Sequence, residues 1–202
     1  MNLLLLASTI IFISLLTGLI KKHTKKVKKA EQAFWDKELA ANHVRKKSLD
    51  SLDYVTIPME RLPLGIMADN EKIQEYISII QALSARKIVN FTGITNTDLK
   101  LTYGTANITA LSEYDENYTT LITTLQRWAK LLYDGGFVDD TCTLLEYAVS
   151  IGSDVSATYY LLADIYQARQ QEDKIFELID SASDLNSKKG KTIAHTLRES
   201  YL

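Results

Sequence analysis

The pattern of apolar and charged positions divides the chain into an apolar N-terminal segment, a basic segment and a long mixed region. Residues 1–20 contain no charged side chain, and six lysines then follow within nine positions: Lys21, Lys22, Lys25, Lys26, Lys28 and Lys29. A helix of 20 residues is about 30 Å long, which matches the hydrocarbon thickness of a bilayer. The pattern predicts a transmembrane helix over residues 1–20 that acts as a single-pass anchor.

The six lysines predict the orientation of this anchor. Positively charged flanks stay on the cytoplasmic side of a membrane, so we expect everything after residue 20 to be cytoplasmic. Basic residues at that surface are also attracted to anionic lipids. The lysines are therefore candidate membrane-surface residues, although a role in setting the topology would explain them without any lipid contact.

Two alternatives to the anchor stay open, a cleaved signal peptide and a buried helix of a soluble domain. A signal peptide has basic residues before a shorter apolar run, and a small-residue cleavage site after it. Here Met1 and Asn2 carry no basic side chain, and residues 17–20 lead straight into lysines without such a site. These features favour the uncleaved anchor.

The remaining pattern predicts helices, and hence an all-α fold. Few glycines and only two prolines, Pro58 and Pro63, interrupt the chain. We expect a basic juxtamembrane helix over residues 21–47, which would form a stalk next to the membrane. An extended connector that contains both prolines is predicted over residues 48–65. A helical packing and capping region is predicted over residues 66–118.

One helix of this region has a clear amphipathic pattern. Ile73, Tyr76, Ile77 and Ile80 recur at helical spacing, which predicts one buried face. Asp69-Asn70 precedes them and is suited to cap the first turn.

From residue 125 the chain nearly repeats itself at a spacing of 34, most clearly where Ala129 matches Ala163 and Ala148 matches Ala182. This pattern resembles the tetratricopeptide repeat, a pair of antiparallel helices that approach closely at small residues. The likeness implies two TPR-like repeats over residues 119–187, with helices at 119–133 and 138–151, then at 156–168 and 172–184. Residues 188–202 would form a C-terminal capping helix. Thr141 departs from the alanine that the family prefers, and the family's proline near the end of each unit is missing.

The resemblance implies a concave groove, lined by the first helix of each hairpin, that takes a protein or peptide. The corresponding positions are Gln126, Lys130, Tyr133, Tyr160, Asp164 and Gln167. In the alternative, the tyrosines pack beneath the C-terminal helix, which then covers the groove. The layout is also similar to small membrane-anchored proteins of anaerobic bacteria, a likeness that implies no activity.

The charge distribution argues against nucleic acid as a partner. Residues 1–47 hold ten Lys/Arg and three Asp/Glu, whereas residues 48–202 hold thirteen and twenty-two. The region after the stalk is therefore acidic, while phosphates require a basic face. Three N-x-[ST] sequons, at Asn90, Asn107 and Asn117, would matter only if this region faced a secretory lumen.

The sequence offers no catalytic, cofactor or metal site. The three histidines are dispersed, and the only cysteine, Cys142, is expected in the core. We therefore expect no enzyme. The leading hypothesis is a membrane-anchored cytoplasmic scaffold or adaptor that binds another protein. The alternative is a structural subunit of a membrane complex or homo-oligomer without a free groove.

Overall fold

A computed structural model describes residues 3–201 of the chain, with the side chains of residue 8 and residues 10–201. This part is 73% helical and has no strand, which confirms the all-α prediction. Its eight helices are α1 Leu3–Asn42, α2 Glu71–Ser84, α3 Asn96–Tyr103, α4 Ile108–Asp134, α5 Val138–Ser150, α6 Ser156–Ala168, α7 Glu172–Ser183 and α8 Lys188–Tyr201.

The chain divides into two compact units. The first unit comprises Met1–Lys47 and Asn96–Asn107, and the second comprises Ser48–Thr95 and Ile108–Leu202. Residues 96–107, which the sequence analysis assigned to the packing region 66–118, thus belong with α1.

Polar contacts hold α3 against the C-terminal end of α1 in the first unit. Lys37 Nζ lies 2.6 Å from Asp98 Oδ1, and the Glu38 carboxylate accepts hydrogen bonds from Thr97 and Lys100. The Lys100 bond is the main reason that the pKa of Glu38 is lowered. At the same end Ala41 is fully buried, and its carbonyl accepts a hydrogen bond from the side chain of Thr105.

Residues 3–20 of the predicted anchor fall within α1, which is 40 residues long. Among the residues that the structure describes, no helix combines the length and the apolar character needed to cross a membrane. Residues 1–7 and 9 of the predicted span lie outside the described side chains. The described side chains of residues 8 and 10–20 are exposed.

In the second unit, α2 begins where the sequence predicted. The Asn70 side chain accepts hydrogen bonds from the backbone N–H groups of Lys72 and Ile73, which satisfies two donors of the first turn. The predicted apolar stripe faces the core, since Ile73, Ile77 and Ile80 are buried.

The remaining helices form consecutive antiparallel pairs, α4 with α5 and α6 with α7, followed by α8. Helix α4 begins at Ile108, earlier than the predicted 119, because Leu111 and Tyr118 extend its buried face toward the N-terminus. Acidic residues occupy the first turns of α5 and α7, where they stabilise the helix dipole.

The four alanines that mark the 34-residue spacing are all completely buried: Ala129, Ala148, Ala163 and Ala182. Small side chains at these positions allow neighbouring helices to approach closely. The eight-helix arrangement is compatible with a helical repeat fold. Thr141, the departure from the pattern, is also buried, and its hydroxyl bonds the carbonyls of Ala129 and Phe137.

The three sequon asparagines have internal structural roles. The Asn90 amide nitrogen lies within hydrogen-bond distance of the Tyr118 hydroxyl and the Ile151 and Gly152 carbonyls. Asn107 and Asn117 are buried, and their amides donate to backbone carbonyls. A glycan on any of these nitrogens would remove donors on which the fold depends.

Candidate functional site

The predicted groove residues of α4 occupy one side of its C-terminal half. Gln126 is half-buried, Lys130 is exposed, and Tyr133 is 37% exposed. Lys130 forms an ion pair with Asp134 one turn later, and its ammonium lies 5.9 Å from the centre of the Tyr133 ring. These contacts hold the lysine beside the tyrosine and leave part of the ring accessible.

The matching residues of α6 meet the C-terminal helix. Asp164 is exposed and accepts a hydrogen bond from the Tyr201 hydroxyl of α8, while Tyr160 is half-buried and Gln167 is exposed. Burial and the bond to Asp164 raise the pKa of Tyr201. Helix α8 therefore contacts one of the predicted groove positions, Asp164.

Within the described part of the chain, no hydrogen bond or ion pair joins the α4 set to the α6 set. Each set forms its own local cluster, with Lys130 beside Tyr133 in one and Asp164 bonded to α8 in the other. The six positions therefore offer two polar and aromatic patches on the first helices of the hairpins.

A second cluster, which the sequence analysis missed, lies where α5, α6 and α7 meet. Glu146 Oε1 accepts hydrogen bonds from the Tyr166 hydroxyl at 2.7 Å and from Lys174 Nζ at 2.9 Å. The same ammonium lies 5.0 Å from the centre of the Tyr166 ring. These three residues, the Glu146 cluster, come from three different helices.

Electrostatics within the Glu146 cluster favour the ionised carboxylate. Burial raises the pKa of Glu146, but the hydrogen bonds from Lys174 and Tyr166 outweigh it, so the pKa is lowered overall. Burial and the bond to Glu146 raise the pKa of Tyr166. The cluster is thus a carboxylate–ammonium pair with a neutral phenol, whose polar groups satisfy one another.

The Glu146 cluster borders a pocket of about 320 Å³, whose floor is formed by Leu162 and Leu178. A second pocket of about 280 Å³, beside Pro58 and Arg61, also includes Glu146 in its wall. An open surface with an apolar floor and paired charges can bind a partner side chain. It presents no activated nucleophile.

The lone thiol and the acidic residues do not change this assessment. Cys142 is buried, and burial raises the pKa of its thiol, which keeps it protonated. In the described part of the chain, no group of three or more His, Cys, Asp or Glu side chains could hold a metal ion.

No single sequence signal identifies the Glu146 cluster. Its members are separated by 20 and 28 positions along the chain, and each is unremarkable in its own helix. Only the stacking of the hairpins brings them together.

All six candidate membrane-surface lysines have exposed side chains on α1. Further along the same helix, Phe34 and Trp35 are also exposed, with their rings edge to face at 5.4 Å between centres.

No protein-family model, no curated protein and no solved structure matches the chain. The resemblance to the tetratricopeptide repeat therefore depends on the residue pattern together with the paired helices.

Proposed function

We propose that this protein is a membrane-anchored cytoplasmic scaffold that binds another protein through a TPR-like stack of helical hairpins. The observation that supports this function best is the pairing of α4 with α5 and of α6 with α7, with the four spaced alanines fully buried. Such stacks bury their small residues between helices and leave the outer faces of the helices for partners. The proposal includes no catalytic step and no cofactor.

The anchor in this proposal is residues 1–20, with the chain after it in the cytoplasm. Its support is the charge-free sequence followed by six lysines on one side only. The internal bonding of all three sequon asparagines is compatible with a domain that never meets the glycosylation machinery. The finding that no described helix qualifies as a span makes a direct test necessary.

The topology test uses the full chain with a C-terminal reporter that is active only outside the cytoplasm. We expect no reporter signal, together with recovery of the protein in a carbonate-washed membrane fraction. A reporter signal would overturn the orientation, and recovery in the carbonate supernatant would overturn the anchor.

The partner surface in this proposal is the six-residue groove set on α4 and α6. Partly exposed tyrosines offer contact area at a low entropic cost, and Lys130 beside Tyr133 adds a charge. The Asp164–Tyr201 bond adds α8 to the rim of this surface.

The binding test combines Tyr160→Ala with Lys130→Glu in the full-length protein, purified in mild detergent with its interaction partners. We expect loss of capture of the partner that co-purifies with the wild type, with the helical content unchanged. The matched control, Phe176→Ala with Lys188→Glu, removes an exposed aromatic and reverses a charge elsewhere, and should leave capture intact. Full capture of the partner by the groove variant would exclude this surface as the binding site.

A structural subunit is the second candidate function, in which these faces are buried against a larger complex. Size analysis of the same preparation separates the two functions. A scaffold should exchange its partner during purification, whereas a structural subunit should remain in one complex of fixed composition.

A further inference from the structure

An exposed stripe, apolar except at His23, runs along α1. Its positions alternate in steps of three and four, and all their side chains are exposed: Ile13, Leu16, Ile20, His23, Val27, Ala30 and Phe34. Steps of three and four keep residues on one side of an α-helix, the arrangement that a neighbouring parallel helix requires. We call these seven residues the α1 stripe.

The lysines avoid this stripe. At about 100° per residue, the six lysines between residues 21 and 29 fall within an arc of roughly 160°, centred opposite Val27. Topology marking alone requires only that lysines follow the apolar segment, and it does not restrict them to one side. The segregation gives residues 20–34 an amphipathic surface, with a basic side and a narrow apolar side.

The same stripe continues into a helix contact within the first unit. The next positions in the spacing are Lys37 and Ala41, where Lys37 pairs with Asp98 of α3 and Ala41 is fully buried. This burial does not extend toward the N-terminus, since Phe34 is 53% exposed and Val27 is 49% exposed. This side of α1 therefore packs against a helix at its C-terminal end, whereas the described stripe residues from Ile13 to Phe34 are exposed.

Lipid does not account for the outer part of the stripe if residues 1–20 form the anchor. Phe34 lies 14 residues beyond Ile20, a distance of about 21 Å along a continuous helix. That places Phe34 well outside the hydrocarbon core of the bilayer. The three-and-four spacing of the stripe matches the surface that a second helix would contact.

We propose that the α1 stripe packs against the α1 stripe of a second copy of this chain, in a parallel dimer. This inference depends on the proposed anchor, which would hold two copies side by side in the same orientation. The lysines then point away from the dimer contact, so that the two basic arcs avoid each other and face solvent and lipid headgroups. A short stripe that includes His23 and Ala30 is a weak coiled coil by itself, and the anchor compensates by raising the effective concentration.

The test is a cysteine scan of the full-length protein in phosphatidylcholine vesicles, in a Cys142→Ala background. Stripe variants Val27→Cys, Ala30→Cys and Phe34→Cys are compared with off-stripe variants Lys25→Cys, Lys29→Cys and Ala33→Cys. Ala30 and Ala33 form a matched pair, because both are exposed alanines on the same helix. On mild oxidation we expect about tenfold more disulfide-linked dimer from the stripe variants than from the off-stripe variants, as interhelical contact at alternating positions requires.

A flat pattern, absence of dimers, or a maximum on the lysine side would each overturn the proposed stripe contact. Carbonate extraction of the same samples tests the anchor separately. If the protein resists carbonate extraction but the cysteine scan shows no periodicity, the dimer is refuted and the anchor is supported. Protein that is extracted but retains the periodic scan refutes the anchor and keeps the stripe contact.

Discussion

Substitution of Gly190 by alanine should weaken the docking of α8, although it improves the intrinsic helix propensity. Gly190 is buried in the first turn of α8. A Cβ atom there would lie 2.5 Å from the Ala182 carbonyl oxygen of α7 and 2.6 Å from Leu185 Cβ. Ordinary contact begins at 3.4 Å, and one of the obstructing atoms is backbone that cannot rotate away. Helix α8 must therefore move outward.

The two opposing effects differ in size. Glycine to alanine in a helix interior gains at most about 1 kcal/mol, and less in a first turn. Overpacking of this kind costs about 1–3 kcal/mol. An outward shift also loosens Ile193 and Leu197, which are completely buried and each contribute about 1.5–3 kcal/mol when fully packed. We expect a net loss of about 2 kcal/mol, or roughly a thirtyfold increase in the opening of α8.

Hydrogen exchange of the full chain, followed by mass spectrometry, measures this opening directly. In Gly190→Ala, the peptides covering residues 188–201 should exchange about thirtyfold faster, while those from α4 should change less. The control is Gly65→Ala, because a Cβ at Gly65 meets no atom within 4 Å and the backbone there has no positive φ. Gly65→Ala should leave hydrogen exchange in α8 at the wild-type rate or make it slower. Equal or greater protection of α8 in Gly190→Ala would refute the close approach of α7 and α8.

Four further predictions concern the second unit. Tyr118→Phe should lower the free energy of unfolding by about 1–2 kcal/mol, because the hydroxyl contacts Asn90 and donates to a carbonyl. Tyr159→Phe should leave it unchanged or raise it by up to about 1 kcal/mol, because the Tyr159 hydroxyl is buried without a partner in the described part of the chain. Ala163→Leu should cost about 1–3 kcal/mol by overpacking. Glu146→Gln should lower the urea midpoint at pH 7, with a difference from the wild type that shrinks as the pH falls toward 3. The lowered pKa of Glu146 makes a contribution that is present above about pH 4.3 and is lost as the pH falls through the folded-state value.

Each of these predictions has its own control. The two tyrosine variants control for each other, since equal losses would show that the hydroxyl bonds are not the cause. Ala157→Leu, at an exposed position of the same helix as Ala163, should stay within about 0.5 kcal/mol of the wild type. For Glu146→Gln, a difference in urea midpoint that stays constant from pH 7 to pH 3 would contradict the lowered pKa of Glu146.

The local pattern of the sequence was sufficient for the fold class and for several helix boundaries. The stripe of Ile73, Ile77 and Ile80 and the Asn70 cap appear in the structure as predicted, because both signals act within a few residues of one helix. Gly104, which directly follows α3, has a φ of +90°, a conformation that glycine adopts without strain.

Contacts between distant parts of the chain could not be predicted in this way. The grouping of residues 96–107 with α1 depends on charged pairs separated by about 60 positions. The amides of the sequon asparagines donate to backbone carbonyls that lie 30 to 61 positions away along the chain. No periodicity encodes which carbonyl or carboxylate a given side chain will meet.

What the sequence alone determined is the all-α fold class, the apolar stripe and Asn70 cap of α2, and the spacing of the four buried alanines, because these depend on local patterns along the chain. The tertiary structure decided which surfaces are available. It bonded Asp164 to Tyr201, assembled Glu146, Tyr166 and Lys174 from three helices, and buried Ala41 beyond the C-terminal end of the α1 stripe while leaving Phe34 exposed. Surfaces are set by how helices stack, and stacking depends on the shape and charge of residues that are far apart in the chain.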